Sequence, residues 1–153
     1  MAKNREMARR HLDKRFQNAS PDLLRRPPKG WVQTIRDALG MTTTQLAKRM
    51  GLVQSRIVAI EQDEVQDKLT LSTLTKAADA LECEFVYALV PRQSLAQIMK
   101  SQAFEKAKKA MAETKHTMQL ENQSVDEDEL QIQFEKLVQK FLESSPKKLW
   151  DDA

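Results

Sequence analysis

Twenty-one residues, TTTQLAKRMGLVQSRIVAIEQ (Thr42–Gln62), constrain the fold of this chain more than any other stretch. Leu46, Ala47 and Met50 recur at the spacing of one helix face, Gly51 stops that pattern, and Ile57 and Ile60 resume it. Glycine is the residue that accepts the left-handed conformation with which helices commonly end. Thr42 or Thr43 supplies the N-terminal cap of the first helix. Each segment is too short to be stable alone, so the two must bury their apolar faces against each other and against neighbouring helices. Two neighbours are legible. TLSTLTKAADALE presents Leu71, Leu74, Ala77, Ala78 and Leu81, and an upstream segment presents Trp31, Ile35, Ala38 and Leu39 ahead of Gly40.

The flanks differ from this centre. With 153 residues, 41% of them apolar, 31% charged and only three glycines, the chain has room for one core with helical attachments. Residues 1–29 hold nine basic against three acidic residues, a local +6 that suits a polyanion; residues 121–153 hold nine acidic against four basic, a local −5 that does not. Residues 3–17 read as a basic helix anchored by Met7, Leu12 and Phe16, suited to contact phosphates, and SPDLLRRPPKG reads as a linker. Residues 94–122 read as one long helix capped by Ser94, and Leu130 to Leu142 as an amphipathic helix that either packs on it or grips a partner. The organisation expected is 1–29 basic helix and linker, 30–92 central domain, 93–153 helical region.

CEFVYALVP breaks the helical period: Phe85, Val86, Tyr87, Leu89 and Val90 are strand formers, and Pro91 ends the run. An isolated strand cannot satisfy its own backbone groups. Pairing residues 84–90 with their two-fold related copy gives a homodimer built on a two-stranded intermolecular sheet; the alternative is an extended tail. A single cysteine, Cys83, excludes an intrachain disulfide. No apolar run reaches membrane-spanning length and no secretory leader is legible, so a cytoplasmic location is expected. His11 and His116 are the only histidines, and neither has cysteine or carboxylate neighbours at ligand spacing. With no phosphate-cradling glycine loop either, no metal, cofactor or catalytic residue is expected, and an enzyme is the least supported class.

The segment from Gly30 to Pro91, above all Thr42–Gln62 with TLSTLTKAADAL, resembles the helix-turn-helix regulators of the Xre and phage-repressor type. The resemblance implies a mainly α fold in which the helix beginning near Gln54 enters the major groove of double-stranded operator DNA. Carried over by position, Gln54 and Ser55 read base edges, Arg56 reads a base or a phosphate, and Thr43 contacts the backbone. Glutamine suits adenine because its amide both donates and accepts. Ala59 is too short to hydrogen-bond but can touch a thymine methyl. Val53 departs from the pattern, standing where a polar cap is usual.

Over nearly its full length, through PPKGWVQTIRDALGMTTTQLAKRMG, FVYALVPR, HTMQLENQ and KKLWD, the chain resembles the family called mobile mystery protein A, whose members sit beside a Fic-domain partner. Fic enzymes transfer AMP to protein hydroxyls, and many are silenced by a helix carrying (S/T)xxxE(G/N). Thr117, Glu121 and Asn122 fit that pattern. The resemblance implies an antitoxin in which Glu121 occupies an arginine that otherwise holds the γ-phosphate of ATP. The simpler alternative is a plain repressor whose C-terminal helices only dimerise or bind a partner.

Overall fold

The computed structural model describes residues 2–120 and 126–151. Among them are eight α-helices: α1 (Ala2–Phe16), α2 (Trp31–Ala38), α3 (Thr43–Met50), α4 (Gln54–Val65), α5 (Leu71–Ala80), α6 (Leu95–Leu120), α7 (Glu127–Glu143) and α8 (Pro146–Trp150), with a 3-10 turn at Pro21–Leu24. The chain divides into two units, Ser20–Leu89 and Met1–Ala19 with Val90–Ala153. No described helix is long and apolar enough to cross a membrane.

In the unit of residues 20–89, α3 starts with a full capping box. The Thr42 hydroxyl accepts from Gln45 N at 3.1 Å while the Gln45 amide oxygen accepts from Thr42 N at 2.8 Å, which satisfies two otherwise unpaired donors. Gly51 closes the helix at φ 67°, and Leu52 N reaches back to the Ala47 carbonyl at 2.8 Å. A Cβ at Gly51 would meet nothing within 4 Å, so glycine is required there by its backbone conformation and not by crowding. The residues so ordered bury Leu46, Ala47, Ile57 and Ile60 together with Val32, Ala77 and Leu81. Ala47 is 2% exposed, and its lack of bulk lets α3 and α4 cross closely.

Two features depart from the apolar pattern of α2. Trp31 and Leu39, expected in the core, are 41% and 58% exposed, and Ala38 is exposed too; Val32 and Arg36 face inward instead. An arginine can occupy a core position because Glu61 on α4 receives it. Arg36 Nε donates to Glu61 Oε1 at 2.6 Å and Nη2 to Oε2 at 3.2 Å, while Nη1 reaches the Met41 carbonyl at 2.8 Å. The hydrogen bond to Glu61 is the main cause of a pKa for Arg36 above even the usual arginine value, so the guanidinium stays charged at every accessible pH.

One turn further along α4, the buried Glu64 carboxylate accepts from Trp31 N at 2.7 Å and Val32 N at 3.0 Å. It thereby caps α2 from across the core, at the end where the helix dipole favours negative charge. Gly30, at φ 82°, makes room for it: a Cβ there would lie 2.6 Å from Glu64 Oε2. Arg26 binds the C-terminal end of α4, donating to the Glu64 and Val65 carbonyls and to the Asp67 carboxylate. The linker is thus latched to α4.

In the second unit, the α6 N-terminus is capped twice. Ser94 Oγ accepts from Gln97 N at 3.1 Å, and the Asp13 carboxylate of α1 accepts from Leu95 N at 2.6 Å and Ala96 N at 3.3 Å. The basic first helix is therefore built into this unit. Ala103 and Ala107 are fully buried, as is Leu149 of the short α8, a helix that the sequence pattern did not reveal. The apolar stripe of α7 packs on α6, with Phe134 meeting Phe104 edge to face at 4.8 Å between ring centres. Gln102 Nε2 donates to the Leu149 carbonyl at 3.1 Å, holding α8 in place.

No strand is formed among the described residues. After Cys83 N bonds the Ala78 carbonyl, residues 84–89 make no backbone–backbone hydrogen bond, and Val86, Tyr87 and Leu89 stand 68%, 69% and 83% exposed. The segment expected as a strand has no partner strand among the described residues, and a ladder needs two.

The buried pair carries a stability prediction. Arg36→Met or Glu61→Met alone strands a desolvated charge and should cost about 3–5 kcal/mol in urea unfolding. The double variant should lose clearly less than the two single losses added together. Simple additivity would show that the two side chains do not depend on each other.

Candidate nucleic-acid interface

Helix α4 has one inward and one outward face. Ile57, Ile60, Glu61 and Glu64 are buried, so the opposite ridge carries Ser55, the half-buried Ala59 and Gln62, with Gln54, Arg56 and Val58 beside it. Gln54, Ser55 and Arg56 are exposed, as their expected contacts with DNA require. Val53 precedes the helix with no side-chain cap, leaving its 69% exposed side chain at the start of the same surface.

The structure joins two of the expected residues directly. Gln54 Nε2 donates to Thr43 Oγ1 at 3.0 Å, linking the first residue of α4 to the first residue of α3. Gln54 keeps its amide oxygen and second N–H, and Thr43 keeps its own hydroxyl proton. A donor–acceptor pair is therefore held out from α4 while a hydroxyl donor stands at the start of α3. One can meet an adenine edge and the other a phosphate oxygen. Because the two share a hydrogen bond, moving one disturbs the other.

Arg56 makes no ion pair among the described residues, which leaves its guanidinium available to a base or phosphate. Ala59, expected to touch a thymine methyl, is half-buried, whereas its neighbour Val58 is 40% exposed. Val58 and Gln62 join this surface although sequence reasoning did not single them out. The signal was available in the helical offset from Ile57 and Ile60, since residues about half a turn from a buried stripe face outward.

Of the other expected site residues only Thr117 is among those described. Thr117 is exposed on α6, its hydroxyl donating to the Glu113 carbonyl at 3.1 Å as ordinary helix back-bonding. Glu121 and Asn122 lie outside the described residues. His11 and His116 are both exposed. Among the described residues no group of three or more His, Cys, Asp or Glu is placed to hold a metal ion.

Comparison with known proteins gives no match to a curated protein and none to a solved structure. A family model does match, over residues 32–87, which spans α3 and α4 with their Gln54–Thr43 pair, α5 and all but the first residue of α2. That part of the chain is a helix-turn-helix domain, the architecture of DNA-binding regulators.

Proposed function

We propose that this protein is a dimeric, sequence-specific transcriptional regulator that inserts α4 into the major groove of operator DNA and also acts as an antitoxin toward a Fic-domain AMP transferase. The DNA-reading half rests on one observation above the others, the Gln54 amide held by Thr43 at the exposed start of α4. Gln54, Ser55 and Arg56 face base edges, Thr43 faces the backbone, and Val58 beside Ala59 offers apolar contact to a thymine methyl.

On an operator selected from a random duplex pool, Gln54→Ala should weaken binding by about 1–3 kcal/mol and relax preference at one base pair, while random duplex is little affected. Thr43→Val on top of it should add less than it does alone, because the two residues act through one hydrogen bond. Equal losses on selected and random DNA would remove Gln54 from base reading.

Dimerisation is supported by the exposed, unladdered run at residues 84–90. Its free donors and acceptors, with strand-forming side chains, suit addition of an identical strand. Two-fold pairing centred on Tyr87 would present two copies of α4 to half-sites about 10 base pairs apart. Tyr87→Pro, which removes one ladder donor and cannot sit in a paired strand, should shift sedimentation from dimer to monomer and abolish the preference for palindromic sites. A variant that stays dimeric would place the interface elsewhere.

The antitoxin half rests on the sequence resemblance and on the Thr117, Glu121, Asn122 pattern. Glu121 would form a bidentate pair with the arginine that holds the γ-phosphate, leaving ATP unable to align for transfer. Glu121→Gly, co-purified with a Fic-domain protein encoded beside it, should leave the complex intact and restore AMP transfer to protein hydroxyls. Continued silence of that complex would leave a plain repressor as the surviving function.

A further inference from the structure

The helix-turn-helix unit is electrically neutral, and this is unusual for a body that must hold a polyanion. Residues 20–89 contain nine basic and nine acidic residues. Four of the nine cations are engaged by acids of the same unit: Arg25 by Asp22, Arg26 by Asp67, Arg36 by Glu61 and Asp37, and Arg49 by Glu82. The other five, Lys29, Lys48, Arg56, Lys68 and Lys76, are exposed and make no ion pair among the described residues, but the acids of the unit offset them in net charge. Yet neutralising phosphates and releasing their counterions supplies essentially all of non-specific DNA affinity.

A net positive charge is found instead on α1 and α6. Helix α1 has six basic residues against two acidic, and α6 five against two. Asp13 of α1, clipped to the first amides of α6, makes the two helices parts of one packed unit. On α1, Arg9, Asp13 and Phe16 are the half-buried residues, so the exposed side carries Lys3, Lys14 and Arg15. On α6, Lys100, Lys108 and Lys115 are likewise exposed, successive ones about two helical turns apart. None of these six makes an ion pair among the described residues. Acidic side chains concentrate instead at the start of α7, where Glu127, Asp128 and Glu129 occupy the first turn.

We propose that the exposed basic faces of α1 and α6 form a second, sequence-independent DNA surface that supplies most of the phosphate contacts of the whole chain. It deepens the DNA-reading proposal by separating the two tasks: α4 selects the site, and α1 with α6 holds the duplex. The partner is double-stranded DNA, recognised through its phosphates alone.

The test measures affinity of the full chain for a random-sequence duplex as a function of salt. Two variants, Lys3→Gln/Lys14→Gln/Arg15→Gln on α1 and Lys100→Gln/Lys108→Gln/Lys115→Gln on α6, replace exposed side chains. Each should flatten the slope of log K against log salt by about 0.9 for every contact removed, roughly 2 to 3 per triple variant. Affinity at moderate salt should fall at least tenfold, equally on random and selected duplex. Lys136→Gln/Lys140→Gln on α7 should change neither quantity. Gln54→Ala should leave the random-duplex slope intact, so a failure of base reading and a failure of this surface give different results. Unchanged slopes in both triple variants would overturn the proposal. So would a self-association of the chain, seen by sedimentation, that only the triple variants dissolve, since the basic faces would then be meeting the acidic α7 of a second copy.

Discussion

Two carboxylates one turn apart on α4, Glu61 and Glu64, decide how that helix is held. Burying a carboxylate is unfavourable unless its oxygens are fully bonded. Glu61 meets that condition with a bidentate guanidinium and Glu64 with two amides at the start of α2. Rotation of α4 about its axis would break both sets at once and leave two desolvated charges. The helix is therefore fixed in rotation by polar contacts as well as by Ile57 and Ile60. Since Ser55, Val58 and Gln62 lie away from the inward face, fixing that face also fixes which side chains point outward.

The same anchoring reaches the linker. Gly30 exists in a conformation and a space that only glycine accepts, and what fills that space is Glu64. Arg26 binds the carbonyls at the end of α4 and also the carboxylate of Asp67, a non-glycine residue at φ 58°. Left-handed backbone at such a residue is costly and persists where surrounding contacts determine it. A segment whose composition suggests a loose connector is thus tied to the helix that carries the candidate reading residues.

Charge is distributed by structural unit. The helix-turn-helix unit pairs four of its nine cations with its own acids and is neutral overall, whereas α1 and α6 carry eleven basic against four acidic residues. Ion pairs that stabilise a fold withdraw charge from any external partner, so side chains that look equivalent in a charge count differ in what they can bind. Arg36 and Arg56 illustrate the difference: one is buried against Glu61, the other is exposed and unpaired among the described residues.

Local rules made much of this legible. The spacing of Leu46, Ala47, Ile57 and Ile60, the Thr42 cap and Gly51 lead to the α3–turn–α4 element because capping, left-handed glycine and helical periodicity act within a few residues. The exposed positions Gln54, Ser55 and Arg56 follow from the same pattern. Other features were hidden because they depend on residues far apart in the chain. Val32 and Arg36 displaced Trp31 and Leu39 from the core since an acceptor on α4 lies 25 residues beyond Arg36. Asp13 caps a helix that begins 82 residues later, and α8 is held by contacts with α6 that its own short sequence does not announce. The sequence by itself determined where helices start, stop and turn, because those events are governed by neighbouring residues. Which charges are spent inside the molecule and which remain for a partner was decided only by the tertiary structure, because pairing depends on distance in space.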